Sequence, residues 1–477
     1  MMNEKKNFLY NLSYTILNLI LPLITAPYIS RIVGPHGVGM YSYYYSIASY
    51  FVIFGKLGLI NYGTRLVSKV RDDRNDLNKT FSSIYYQQII AGIITILIYI
   101  AYAIFISNDK LLSIIMITLV ASILFDIDWL YSGLEQFKVI ALKNFVIKII
   151  TVLCIFLFVK NKNDLWLYAL ILCLGNTLGF ISMWFGVKKS VRFVKVEWRD
   201  ITNHFRPNLI LLVPVIAVNI YRTLDKIIVG YISGMVQTGY YENAEKIIYA
   251  LCGIITSFGT VMMPKISNLI ANGKKNESQK YLINSMNFIM FITCGISFGV
   301  VAISEKLTVV VFGIDFIMSA ELLRALALTI IFIGWANVIR TQYIMPNNLD
   351  NLYIKSVVIG AIVNFTINIL LIPQINAYGA VIGTFIAEFI AALLQTIQVR
   401  KKIPIKKMLK DTSTYIIAAI VMYIILCLIN YKLDNNLLSI IIMTIIGLFV
   451  YVISIFIILV YKKSDYIKYF KEKFKNK

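Results

Sequence analysis

The chain has 477 residues, of which 59% are hydrophobic and only 15% charged, and its mean hydropathy is +0.76. Soluble domains carry about a quarter charged residues, so composition excludes an ordinary water-soluble enzyme, a disordered chain and a disulfide-stapled secreted module. The net charge of +22 would suggest nucleic acid in a soluble chain; in a polytopic membrane protein it is first a matter of loop bias.

Lys5 and Lys6 precede an apolar run beginning near Phe8. That run is too long for a signal-peptide core and has no persuasive small-x-small cleavage site, so it reads as a retained first helix. About 20 apolar residues cross the hydrocarbon as a helix. Fourteen such runs follow one another, at 9–30, 39–60, 84–106, 111–132, 139–160, 165–187, 209–231, 239–262, 282–304, 320–343, 353–373, 378–399, 412–431 and 437–461. They are too long for strands and lack a period of two. The expected fold class is therefore an all-α polytopic membrane protein of about 14 transmembrane helices.

Loop charge orients these spans. With the N-terminus inside, 32 of the 46 Lys and Arg fall on the cytoplasmic side and six outside. That bias predicts both termini in the cytoplasm and explains the basic balance without nucleic acid, the basic loops meeting anionic lipid head groups. The charged connection 188–206 sets off the first six helices, and 400–410 sets off the last two. The domain reading is 1–200 as an N-terminal six-helix lobe, 201–405 as a C-terminal six-helix lobe, and 406–477 as an extra two-helix segment with a basic cytoplasmic tail.

The two lobes read as copies. Asn18 to Pro22 in helix 1 matches Asn208 to Pro214 in helix 7. Ile32-Val33-Gly34 then Gly39-Met40-Tyr41 matches Ile228-Val229-Gly230 then Gly239-Tyr240-Tyr241. Asn144-Phe145 with Lys148-Ile149 matches Asn364-Phe365 with Asn368-Ile369. Six helices per copy give both the same orientation, with an axis along the membrane normal. Pro22 and Pro27 in helix 1 and Pro214 in helix 7 interrupt corresponding helices, a pattern of transport sites; proline merely tolerated in a membrane helix is the plainer alternative.

Five cysteines (Cys154, Cys173, Cys252, Cys294, Cys427) sit in apolar runs without a CxxC and read as small hydrophobes. His36 and His204 are far apart, so no His-based metal centre or catalytic triad is expected, and no catalytic residue or metal site is assigned. The informative residues are charges within spans, each costing about 2.5–3.5 kcal/mol at the bilayer centre. Lys56, Asp126, Asp128 and Lys148 fall in the cytoplasmic third of their helices and could form one ion-pair cluster. Arg31, Arg222, Asp225, Glu242, Lys246 and Arg324 lie toward the outer side. Glu242 and Lys246 are spaced i,i+4 in the favourable order, which local pairing alone explains. Asp126 and Asp128, two apart on a helix, point roughly 200° apart and do not readily share a metal, whereas Asp128, Ser132 and Glu135 share a face. The abundant tyrosines of helix 2 suit interfacial belts, with sugar stacking as the other use. Ser42, Ser46 and Ser49 with Lys56 suggest a polar stripe.

Several of these segments resemble the Wzx-type polysaccharide repeat-unit flippases. They are Pro22 to Arg31, Gly34 to Ser42, Tyr62-Gly63-Thr64-Arg65, Asp126-Ile127-Asp128-Trp129 through Lys138, Gly239 to Lys246, Met263-Pro264-Lys265-Ile266-Ser267, and Asn364 to Pro373. The resemblance covers about residues 8–400; helices 13 and 14 carry no motif of it. It implies the multidrug/oligosaccharidyl-lipid/polysaccharide exporter superfamily and two lobes in a V-shaped arrangement. It implies a cargo of oligosaccharide on undecaprenyl pyrophosphate, moved to the outer leaflet of the bacterial cytoplasmic membrane, with polysaccharide polymerase and glycosyltransferases as partners. Anion binding would fall to Arg31, Lys56, Arg65, Arg222, Lys226 and Arg340. Gating or ion coupling would fall to Asp126, Asp128, Glu135, Lys148, Asp225, Glu242, Glu245 and Lys246. No cofactor is implied beyond coupling to H+ or Na+. A drug or metabolite antiporter and a lipid II flippase of the same superfamily stay open. So does a membrane polymerase, although every predicted outer loop is short.

Overall fold

The computed structural model describes residues 2–461 and, within them, all side chains except those at 2–20, 22–23, 213–214, 217–218 and 220–222. The sequence's Pro22 and Pro214 side chains and its basic tail, 462–477, therefore lie outside the described residues. Among the described residues there is no strand. Among those residues eleven helices are long and apolar enough to cross a membrane. The expected spans 9–30, 39–60 and 209–231 fall on α1 and α10, outside that eleven. The chain is an all-α polytopic membrane protein. It divides into two compact units, Met1–Gly239 and Tyr240–Lys477.

In the first unit, α1 (Met2–Lys56) takes up two predicted spans and is broken inside by Gly34, at φ 67° and ψ −178°. Only glycine reaches that backbone region cheaply, and Pro35 follows. α1 ends at Lys56, and Leu57 (φ 53°) turns the chain. The Gly58 N–H donates to the Asn208 carbonyl at 3.2 Å. The short helix α2 (Leu59–Val70) buries Leu59, Gly63 and Val67, and a Cβ on Gly63 would stand 2.8 Å from the Trp129 ring. Asp73 caps α3 (Arg74–Phe105), accepting from the Asn75 and Asp76 N–H groups, and Asp109 caps α4 (Lys110–Ala121) in the same manner.

After α4 the expected single helix 111–132 is interrupted. A 3₁₀ turn at Ser122–Phe125 leads to an extended Asp126, and α5 (Asp128–Gly133) restarts the helix. α6 (Phe137–Phe158), α7 (Leu165–Met183) and the short α8 (Val187–Ser190) follow. Then come a non-helical segment over 191–197, α9 (Trp198–Thr202) and α10 (Phe205–Ile232).

The connection 188–206 that the sequence sets apart as a divider is a strap latched to α3. Asn78 Oδ1 accepts the Arg192 N–H at 2.7 Å, and Ser82 Oγ accepts the Val194 N–H at 3.0 Å. Phe193 stacks on Trp184, and Lys79 pairs with Asp200 at 3.1 Å. His204 ends the strap between Tyr62 Oη and Ser83 Oγ, each at 2.8 Å. Ser83 spends its own hydroxyl proton on the Thr80 carbonyl, so it accepts from His204 Nε2–H. Neutral His204 Nδ1 then accepts from Tyr62. One turn on, Asn208 Nδ2 donates to Gln87 Oε1 at 2.7 Å.

The second unit runs from within α11 (Met235–Ala271) and is centred on α12 (Lys275–Phe312). Against α12 pack α13 (Ile317–Ala327) and α14 (Thr329–Ile339). A π-helical turn at Arg340–Ile344 follows α14, so the expected helix 320–343 is two helices and a bulge. α15 (Asp350–Ile375) and α16 (Ala377–Val399) form a tight hairpin; at Gly379 a Cβ would meet the Ile372 backbone nitrogen at 2.5 Å. Small residues allow this approach, the usual device between membrane helices. α17 (Ile405–Asn430) and α18 (Leu437–Tyr461), the pair without a motif, dock on α12, where Tyr451 Oη donates to the Phe291 carbonyl at 2.8 Å.

Candidate transport site

The helix break in the first unit exposes carbonyl groups that water cannot satisfy at membrane depth, where broken backbone is tolerated only if other groups cap it. All four are capped. Gln88 Nε2 donates to the carbonyls of Ile123 and Asp126, the latter at 2.8 Å. Tyr85 Oη donates to Leu124 at 3.0 Å, and Trp184 Nε1 donates to Phe125 at 2.9 Å. Gln88, only 1% exposed, completes its own bonding by accepting from Trp129 Nε1 at 3.0 Å. The break is thus a built element, and it carries two carboxylates, Asp126 and Asp128.

Asp126 Oδ1 accepts the Asp128 N–H at 2.9 Å, which caps the start of α5. Asp126 Oδ2 accepts from Lys56 Nζ. Lys143 Nζ donates to both oxygens of Asp128, at 2.9 and 3.2 Å. Phe180 on α7 lies under both ammonium groups, 4.7 Å from Lys56 Nζ and 4.4 Å from Lys143 Nζ. A ring face attracts cations, so Phe180 holds the two pairs side by side. The four ionised groups sum to zero charge. The Lys143 side chain is 6% exposed and that of Lys56 27%, so Lys56 is the member an outside anion can reach.

Of the four charges expected in one cluster, Lys56 pairs with Asp126, and Asp128 pairs with Lys143, a residue outside that expectation. Lys143 falls inside the 139–160 run, and that position is the signal the sequence offers for it. Lys148, half-buried on α6, has interactions of its own. The expected regular helix through Asp126 and Asp128 is replaced by the capped break. Glu135 does not share a helix face with Asp128 and Ser132. It sits past the end of α5 at φ 59°, where Arg71 pairs with it at 2.6 Å and where Glu135 in turn raises the Arg71 pKa.

The remaining residues are spread out. Arg31 and Arg65 are exposed on α1 and α2. Asp225, 2% exposed, and Lys226 lie on α10, while the Arg222 side chain lies outside the described residues. In the second unit Lys246 pairs with Glu242 at 3.1 Å, the i,i+4 contact expected, and Glu245 is buried at 7%. Arg340, at the π-helical turn, donates to Tyr353 Oη at 3.3 Å and lies over that ring. Arg324 pairs with Glu305 and Ser304. Of the polar stripe expected on helix 2, Ser42 and Ser46 are buried, at 3% and 1%. All five cysteine thiols are free.

A polytopic, all-helical membrane protein with a capped helix break and a neutral quartet of paired charges is the class these features define. The chain belongs to a family described as polysaccharide biosynthesis protein, which matches residues 5–270. A relative from Escherichia coli (strain K12), named "Putative O-antigen transporter", is 23% identical over 259 residues, 53% of this chain and 62% of the relative. A relative of the same name from Shigella dysenteriae is 22% identical over 399 residues, 82% of this chain and 98% of the relative. Among solved structures, the lipid II flippase MurJ in its inward closed conformation shares the fold, with a TM-score of 0.74 at 18% identity. That match covers 95% of this chain and 98% of the other.

Proposed function

We propose that the protein is a flippase carrying undecaprenyl-pyrophosphate-linked oligosaccharide units from the inner to the outer leaflet of the bacterial cytoplasmic membrane, for surface polysaccharide synthesis. It acts as a transporter rather than an enzyme. The two repeat copies, 1–200 and 201–405, would work by alternating access, with 406–477 appended and both termini cytoplasmic. Polysaccharide polymerase and glycosyltransferases would supply and consume the cargo. Family membership and the relatives named for O-antigen transport support the cargo class.

The observation that carries the reading is the quartet. A diphosphate needs a cation in low dielectric, and Lys56 is a reachable ammonium already held by one buried carboxylate. An arriving diphosphate would compete for Lys56 and loosen Asp126, tying cargo to a gate contact or to uptake of H+ or Na+. Arg31, Arg65, Arg222, Lys226 and Arg340 would guide the anion. Asp128, Glu135, Lys148, Asp225, Glu242, Glu245 and Lys246 would serve gate pairs or coupling.

Deleting the gene should trap lipid-linked repeat units on the cytoplasmic side, and the wild-type chain should clear them. Lys56→Ala should insert normally yet restore less than a tenth of the flux, a change of about 1.4 kcal/mol or more. Normal surface polysaccharide in a clean deletion with no second exporter would reject the reading.

A further inference from the structure

The second arm of α1 has three faces. Tyr44 and Ala48 are buried, 2% and 0% exposed, among the core residues of α3, α4 and α7. Tyr43 and Tyr50 face α10, where a Cβ on Gly230 would strike the Tyr43 ring at 2.3 Å and Tyr50 Oη donates to the Asn219 carbonyl at 3.3 Å. At 100° per residue, Tyr41, Tyr45, Ser49, Val52 and Lys56 share the remaining arc, roughly 80° wide. None of these five is fully buried: Tyr41 and Val52 pack in part against the same core, and Tyr45 is 39% exposed. The Tyr41 and Tyr45 rings stack, with centroids 5.5 Å apart and planes 25° apart. Tyr168 on α7 meets Tyr41 in a T-shaped contact, with centroids 4.8 Å apart.

Unlike a purely aromatic interfacial belt, this stripe ends on a charge. It continues through Ser49 to Lys56, whose ammonium is held by the buried Asp126 instead of reaching for a membrane surface. From Lys56 to Tyr45 the helix rises ~16 Å, the reach of a short oligosaccharide. Ring faces are electron-rich and attract the positively polarised C–H face of a sugar.

Resting on the flippase reading, we propose that Tyr41 and Tyr45 form a stacking platform for a pyranose ring of the cargo, one short oligosaccharide away from the diphosphate held at Lys56. The test measures binding of two lipids to the full-length chain in detergent: undecaprenyl pyrophosphate, and the same lipid bearing three N-acetylglucosamine residues. The wild type should bind the sugar-bearing lipid more tightly. Tyr41→Ala/Tyr45→Ala should weaken that lipid about tenfold and leave the sugar-free lipid within about twofold. Tyr45→Phe should keep wild-type binding, because the ring face does the stacking. Equal weakening of both lipids, no discrimination by the wild type, or a Tyr45→Phe loss as large as that of Tyr45→Ala would overturn the platform alone. A wild type that binds neither lipid would overturn the flippase reading with it.

Discussion

Lys143 and Lys56 hold neighbouring carboxylates yet stand in different environments. Removing one member of a buried ion pair strands the other, which costs far more than the pair contributes when intact. Lys143→Ala should therefore destabilise the protein by roughly 3 kcal/mol, visible as a lower melting temperature in detergent. Lys143→Met/Asp128→Leu should recover most of that loss, since an apolar pair leaves no stranded charge. If the single and double variants melt alike, the pair is not coupled. Lys56 is more exposed, so water can replace part of its partner, and its loss should register in transport before stability. The sequence shows that charges lie within these spans and that Lys56, Asp126 and Asp128 are close in depth. It does not show which lysine meets Asp128, because Lys143 and Lys148 differ by just over one helical turn, and the choice depends on how α5 restarts after the break.

The elements that matter most are not whole spans but their interruptions. The break at Ser122–Ile127 persists because Gln88, Tyr85 and Trp184, residues from α3 and the end of α7, supply donors for its carbonyls. Nothing local to 111–132 announces this, so an apolar run reads as an unbroken helix. The strap is the other such element. Burial lowers the pKa of His204 below its usual 6.5, and Asp200 opposes that in part. Tyr62 with nearby Arg65, Ser83, and the Lys79–Asp200 pair are the groups around it. The unfolded chain then takes up the proton first as pH falls. The contribution of neutral His204 is full above about pH 6.5 and is lost progressively below it. Melting temperature should therefore fall between pH 7.5 and 5.5 by more in the wild type than in His204→Gln. Equal slopes would remove His204 from the latch.

At the scale of the whole molecule, the basic loops should occupy one side of the membrane. In a cysteine-free background, Lys69→Cys should react with an impermeant maleimide in inside-out vesicles, and Lys162→Cys in right-side-out vesicles. The reverse pattern would overturn the orientation and with it the direction of transport. The repeat marks Gly39 and Gly239 as equivalent, and the structure shows these two glycines in close approach, a Cβ on Gly39 falling 2.8 Å from the Gly239 nitrogen. α10, whose sequence reads as the opening of the second copy, packs with α1 inside the first compact unit.

Composition and run length by themselves determined the all-helical membrane class, because a backbone in lipid must satisfy its hydrogen bonds within the segment. The order of short motifs determined the family in the same way, each being a local string. Which charges pair, where a span breaks, and which arc of α1 is only partly buried were decided by tertiary structure alone. Those outcomes depend on donors, rings and carboxylates brought together from helices far apart in the chain, and no local pattern encodes that meeting.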